Sequence, residues 1–330
     1  MSNELLEVSD LRVSFYTDEG VVKAVNGLNL SLKVGHTLGL VGESGCGKSV
    51  TALSILRLIR PPGKIEAGRI RLDSLDIFSL SEQAMYSVRG REASMIFQEP
   101  MTSLNPVYTV GDQVAEAITA HEHVSEQEAR NRVIEMFHLV GLPQPELRYR
   151  AYPHEMSGGM RQRVMIAMAL VCRPKLLIAD EPTSALDVTI QAQILELIKD
   201  LRERLGMALL LISHDLGVIA ETVEEVAVMY AGEVVEMCTV GEIFGDPFHP
   251  YTQALLASIP TLDSSRDQPL RAIEGSVVNP LRLPPGCYFA PRCSHVMDIC
   301  WEKHPSLEVP RRNHGNGQKS GREVRCWLYS

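Results

Sequence analysis

The chain of 330 residues has no surplus of basic charge: 32 Lys and Arg stand against 41 Asp and Glu, a formal net charge of −9. That balance argues against nucleic acid as the main partner, because holding a polyanion calls for a basic face or stripe. No apolar run approaches the roughly 18 residues that cross a bilayer, and Met1 to Val8 lacks the basic-then-apolar pattern of a leader. A cytosolic chain, soluble by itself, is the expectation. Internal repeats are missing too, and none of the seven cysteines falls in a C-x2-C pair. In that setting the cysteines argue against a disulfide framework and for metal, cluster or packing roles.

What is present is organised around Gly42-Glu43-Ser44-Gly45-Cys46-Gly47-Lys48-Ser49, a complete G-x-x-x-x-G-K-S. An apolar run, Thr37 to Val41, precedes it and a helical pattern begins at Lys48, so the context reads strand, loop, helix. Glycines at 42, 45 and 47 let consecutive backbone N–H groups point at phosphate oxygens while the helix offers its positive end. Lys48 supplies a point charge for the β and γ phosphates, and the Ser49 hydroxyl suits Mg²⁺. By itself this loop says only that the chain binds a nucleoside triphosphate.

Around it the pattern is α/β. Leu5 to Tyr16 and Val21 to Lys33 alternate like the strands of an antiparallel hairpin, and Gly68 to Leu72 and Ala93 to Phe97 read as further strands. Helical spacing fills Val110 to Gly141, where Ser125 and Glu128 form a capping pattern. Leu176 to Ala179 and Ala208 to Ile212 are continuous apolar runs suited to buried parallel strands, with Val188 to Leu205 as the crossover helix. Val226 to Ala231 and Glu233 to Met237 flank Gly232 as a closing hairpin. Near Gly245 the composition shifts to a proline- and cysteine-rich tail, too poor in apolar patterning to build its own core. The expected domains are therefore 1–244, with a helical subdomain at about 105–165, and 245–330.

Chemistry gathers at a second place. Leu176 to Ala179 leads into Asp180-Glu181, two carboxylates at a strand end: Asp180 suits the metal, and Glu181 the attacking water as general base or polariser. Ser157-Gly158-Gly159 opens a helix directly and offers a second anion-binding end. One nucleotide does not need two such ends in one chain, so the second is expected to complete a neighbour's pocket.

Six ordered motifs carry a resemblance: the loop at 42–49, Gln98 after a strand, Ser157-Gly158-Gly159, Asp180-Glu181, Ser184-Ala185-Leu186-Asp187, and His214 in Leu211-Ile212-Ser213-His214-Asp215. Together they resemble an ABC-type ATPase cassette over about residues 5–240. The resemblance implies a P-loop NTPase core with an antiparallel β subdomain, a helical subdomain and an irregular extension. It implies ATP contacts from Gly42, Ser44, Gly45, Cys46, Gly47, Lys48, Ser49 and Val50, with Mg²⁺ at Ser49, Gln98 and Asp180. Glu181, His214 and Gln98 would act in hydrolysis, Gln98 sensing the metal and water and His214 meeting the γ-phosphate. Phe15, or alternatively Tyr16, would stack on adenine. Ser157, Gly158, Gly159 and Asp187 would serve the pocket shared with a second cassette. The usual Leu-Ser-Gly-Gly-Gln is here Met156-Ser157-Gly158-Gly159-Met160. That departure falls on the partner's site and points to a partner that is a different chain.

The tail sharpens the likeness. Phe248-His249-Pro250-Tyr251-Thr252, then Cys287, Cys293, Cys300 and Cys326, resembles the C-terminal extension of dipeptide and oligopeptide importer ATPase subunits, as Met95 to Pro106 resembles their Q-loop. Implied partners are two transmembrane permease subunits and, through them, an extracytoplasmic peptide-binding protein, with the chain at the cytoplasmic face of the inner membrane. Other importers in this group move nickel chelates or antimicrobial peptides, which is the alternative cargo. A soluble ABC ATPase of DNA repair or translation would bring tandem cassettes, coiled-coil insertions or basic linkers, none of which is present. The four tail cysteines, spaced C-x5-C-x6-C-x25-C, suit a [4Fe–4S] cluster or, alternatively, Zn²⁺.

Overall fold

The computed structural model describes residues 3–98, 103–184, 186–259, 273–310 and 321–330. Glu99 to Thr102 of the Q-loop stretch, and Ala185 of the loop before Asp187, lie outside the described residues. In chain order the strands are β1 (Glu4–Thr17), β2 (Gly20–Lys33), β3 (Thr37–Val41), β4 (Gly63–Leu72), β5 (Leu75–Asp76), β6 (Ala93–Ile96), β7 (Leu176–Asp180), β8 (Ala208–Ser213), β9 (Glu225–Tyr230), β10 (Glu233–Thr239) and β11 (Glu323–Val324). The chain divides into two compact units: Met1–Leu6 with Leu32–Thr37 and Arg71–Ile212, and Glu7–Ser31 with Leu38–Ile70 and Ser213–Ser330.

In the first unit β6, β7 and β8 lie parallel, Ala93 facing Leu176 and Leu176 facing Ala208. Their residues are buried throughout, which is why they read as unbroken apolar runs rather than alternating ones. The crossover helix Val188–Leu205 starts where the Asp187 carboxylate accepts from the Ile190 N–H at 3.0 Å and stops at Gly206, whose φ of 67° ends the helical turn. It buries Ile194, Ile198 and Leu201, one stripe at helical spacing. The helices Val110–Thr119, Glu126–Leu139 and Gly158–Leu170 pack on one another, and Ser125 caps the middle one by accepting from the Glu128 N–H at 3.2 Å.

In the second unit β3 runs parallel to β9, Leu38 facing Glu225 and Val41 facing Val228. β9 turns at Ala231-Gly232 into antiparallel β10. β2, β1 and β4 lie side by side in that order. The tail attaches through β11, which pairs with β10 at Glu236 and Val324. It does build a small core, contrary to expectation: Phe248, Val324 and Cys326 are buried, with Leu328 and Tyr329 against them. Fully buried Glu236 accepts from the N–H groups of Phe248 at 2.8 Å and His249 at 2.9 Å, and the Arg322 guanidinium lies 3.9 Å above the Phe248 ring. Polar and aromatic side chains spaced dozens of residues apart hold this tail, a pattern that periodicity does not reveal.

Candidate active site

The phosphate loop leaves β3 and enters the helix Lys48–Ile55 through Gly47, in the left-handed region at φ 107° and with no side-chain cap. Two of its glycines are required by their surroundings. A Cβ on Gly42 would stand 2.1 Å from the Met229 carbonyl, and one on Gly47 2.3 Å from the Ala24 carbonyl. The loop is thus pressed between β2 and the end of β9, and any side chain there would push it off its bed. The Cys46 carbonyl accepts from the Gly232 N–H at 2.9 Å, fixing the third side. Lys48 is buried, its Nζ donating to the carbonyls of Gly42 at 2.7 Å and Glu43 at 3.1 Å. Burial pushes the Cys46 thiol up, so it stays protonated beside the ammonium. Ser44 and Gly45 are exposed, and Ser49 and Val50 half-buried at the helix start.

Two aromatics stand on β1 in the same unit. Phe15 is half-buried, its ring 2.6 Å from where a Gly63 Cβ would be. Tyr16 is 49% exposed, its hydroxyl donating to Glu66 at 2.7 Å. His214 is exposed ahead of the helix Leu216–Thr222, which Asp215 caps by accepting from the Gly217 N–H at 2.8 Å.

The first unit brings the other predicted residues into two groups. Asp180, 3% exposed, ends β7, and Glu181 follows at φ 45° with its N–H donating to the Ile212 carbonyl at 3.0 Å. The Gln98 Nε2 donates to Glu181 Oε2 at 2.9 Å, and the Ser184 hydroxyl donates to the Gln98 carbonyl at 3.4 Å. Two residues that the sequence singled out separately are therefore joined directly, 83 positions apart in sequence. At the second group Met156 is buried and Ser157 exposed, with the hydroxyl accepting from the Met160 N–H at 3.3 Å. A Cβ on Gly159 would stand 3.1 Å from Ile190, so the helix of Asp187 leaves that position little room.

The family description "ABC transporter" matches residues 25–184, and "Oligopeptide/dipeptide transporter, C-terminal region" matches residues 235–300. The chain is 52% identical over 326 residues to the oligopeptide transport ATP-binding protein AppD of Bacillus subtilis (strain 168), covering 98% of this chain and 97% of that one. The chain belongs to the ABC transporter family, among its ATP-binding subunits. To the dipeptide transport ATP-binding protein DppD of the same organism the cassette is 48% identical over 326 residues, covering 98% and 95%. Among solved structures it resembles the dimeric post-hydrolysis state of the ATP-binding cassette MJ0796 bound to ADP and Pi, with TM-score 0.64, 27% identity and coverage of 71% of this chain and 98% of that one. The reaction class of an ABC ATPase is ATP hydrolysis.

Each unit separately offers a hard oxygen of the kind Mg²⁺ takes: the buried Asp180 carboxylate at a strand end in the first, and the Ser49 hydroxyl at a helix start in the second. The expected four-cysteine metal or cluster site does not fit as placed. Among the described residues, no group of three or more His, Cys, Asp and Glu side chains is positioned to hold a metal ion. Burial pushes the Cys287 thiol to about 11 and Cys326 to about 12, and raises Cys293. The four do share a neighbourhood, since Cys287, Cys293 and Cys300 each raise Cys326 further. Sequence reading missed the tail's grip on the phosphate loop by Tyr251 and Arg292. The partners lie 208 and 249 positions apart and form no motif.

Proposed function

We propose that the chain is the ATP-hydrolysing subunit of a peptide importer, a cassette over 1–244 with its helical subdomain at about 105–165 and the extension over 245–330. Relatives about half identical along almost the whole chain, named for oligopeptide and dipeptide transport, carry this reading. Lys48 and the amides of the loop at 42–49, other than that of Glu43, hold the ATP phosphates. When bound, Mg²⁺ would screen those phosphates, with Ser49, Gln98 and Asp180 as its holders. Glu181 orients and deprotonates the attacking water, held by Gln98, and His214 meets the γ-phosphate. Tyr16, the exposed aromatic, stacks on adenine, while Phe15 stays with Gly63.

Ser157, Gly158, Gly159 and Asp187 close the pocket of a second ATPase subunit. Because Met160 stands where the family's glutamine would, that subunit is a different chain. Two transmembrane permease subunits couple the pair to alternating access from the cytoplasmic face of the inner membrane, and a peptide-binding protein delivers cargo outside. Among the described residues no helix is long and apolar enough to cross a membrane. For Cys287, Cys293, Cys300 and Cys326 a [4Fe–4S] cluster, with Zn²⁺ the alternative, rests on the donor set alone. Iron, sulfide and zinc analysis of anaerobically purified protein decides it.

The test of function is uptake of a labelled peptide by a strain lacking this chain. The wild-type gene should restore uptake. Glu181→Gln should keep ATP binding while transporter turnover falls by roughly 10²- to 10⁴-fold. Full uptake without the chain, or restored by Glu181→Gln, overturns the reading.

A further inference from the structure

Residues from the far end of the chain reach the back of the phosphate loop within the second unit. Tyr251, in the first turn of the helix Pro250–Ala257, accepts from the Glu43 backbone N–H at 2.9 Å. The Glu43 carboxylate receives both arms of the Arg292 guanidinium, Nη1 to Oε2 at 2.7 Å and Nη2 to Oε1 at 3.1 Å. Arg292 is itself fixed: its side chain is 3% exposed, its Nε donates to the Glu274 carbonyl at 3.1 Å, and it lies over the Tyr230 and Phe289 rings at 5.9 and 6.0 Å. Tyr230, Tyr251 and Phe289 contact one another at centroid distances of 4.7 to 5.4 Å.

Glu43 is thus gripped through its main chain and its side chain at once. Its carbonyl is in turn an acceptor for Lys48 Nζ at 3.1 Å and for the Cys46 N–H at 3.3 Å. A shift of Glu43 would carry with it the oxygen to which the phosphate-binding ammonium is tied. A bidentate guanidinium–carboxylate pair is directional and, once buried on the arginine side, expensive to open.

We infer that Arg292 and Tyr251 are positioning residues for ATP, setting the phosphate loop from behind by holding Glu43, so that nucleotide affinity depends on the C-terminal extension. Arg292 ends the turn Ala290–Arg292, directly before Cys293 and five residues after Cys287, which makes the cysteine-bearing loop the lever. Both act through Glu43. The inference rests on the ATP reading of the loop at 42–49.

The alternative is that these contacts only fasten the tail. A double-mutant cycle on the purified full-length chain separates the two, reading ATP Kd by titration beside the thermal midpoint without nucleotide. Glu43→Gln and Arg292→Gln should each weaken ATP by about tenfold, and the double variant should be no weaker than either. Arg292→Lys, a charge without the fork, should recover only part. Tyr251→Phe removes one oxygen and leaves the ring packing, so it keeps the test open if the arginine variants do not fold; it should weaken ATP several-fold. A lowered midpoint with unchanged Kd in Tyr251→Phe, or additive effects of the two charge variants on Kd, overturns the inference. Wild-type protein that fails to bind ATP overturns the reading beneath it instead.

Discussion

On the function proposed, the two units would supply nucleotide chemistry in different materials. In the second, the phosphate loop works through main chain: its helix begins at Gly47 without a side-chain cap, leaving the first amides for an anion. In the first, the signature helix begins at Ser157, whose hydroxyl already accepts from the Met160 N–H, and Gln98 meets Glu181 side chain to side chain. A backbone cradle decides where phosphate sits and is disturbed chiefly through its shape. A side-chain set decides what happens next and is edited one residue at a time. Substitutions around the loop should therefore act on binding, and those in the other group on turnover or on a neighbour.

The sharpest test of the cradle is Lys48→Ala, which removes its one cationic side chain. ATP affinity of the isolated chain should fall roughly ten- to a hundredfold, read with a fluorescent nucleotide analogue. Unchanged affinity would break the contrast. Ser157→Ala probes the capped end and should cost about 1 kcal/mol of helix stability, a drop of roughly 2–4 °C in the thermal midpoint. ATP affinity of the isolated chain should hold; a large loss would mean that the signature serves its own chain's nucleotide.

The smallest effect concerns the tail that backs the cradle. Desolvation lowers the His304 pKa, but the Glu233 carboxylate at 2.9 Å more than offsets it, leaving the group above its ordinary value. The contribution of this pair is then fully present below about pH 6.5 and lost as pH rises through the raised value. His304→Gln should cost under about 1 kcal/mol at pH 6 and less at pH 8, measured by denaturant unfolding. An equal cost at both pH values would remove the pair from the tail's anchoring.

What the sequence made legible follows the same divide. The crossover helix, predicted at Val188 to Leu205, occupies those residues, and the buried strands differ from expectation by a residue at an end. These elements carry strong periodicity or unbroken apolar runs. The signature helix begins at Gly158, as a helix opened by Ser157-Gly158-Gly159 should, because Ser157 caps it and draws both glycines into its first turn. β4 begins at Gly63, five residues before the expected start, since none of Gly63 to Gly68 is buried. β11 has two residues, too few for any period to register. Least legible were the partners of Glu43, because nothing local distinguishes Arg292 from other arginines on a polar tail. Only the folded chain shows which guanidinium is sheltered.

The backbone of Glu181 sits in the left-handed region at φ 45°, where a side chain with a Cβ is disfavoured by roughly 1–2 kcal/mol. Glycine or asparagine would rest there more comfortably. On the catalytic role proposed for Glu181, a firmer fold and turnover therefore pull in opposite directions at this one position: glycine or asparagine there should relieve the backbone while removing the base.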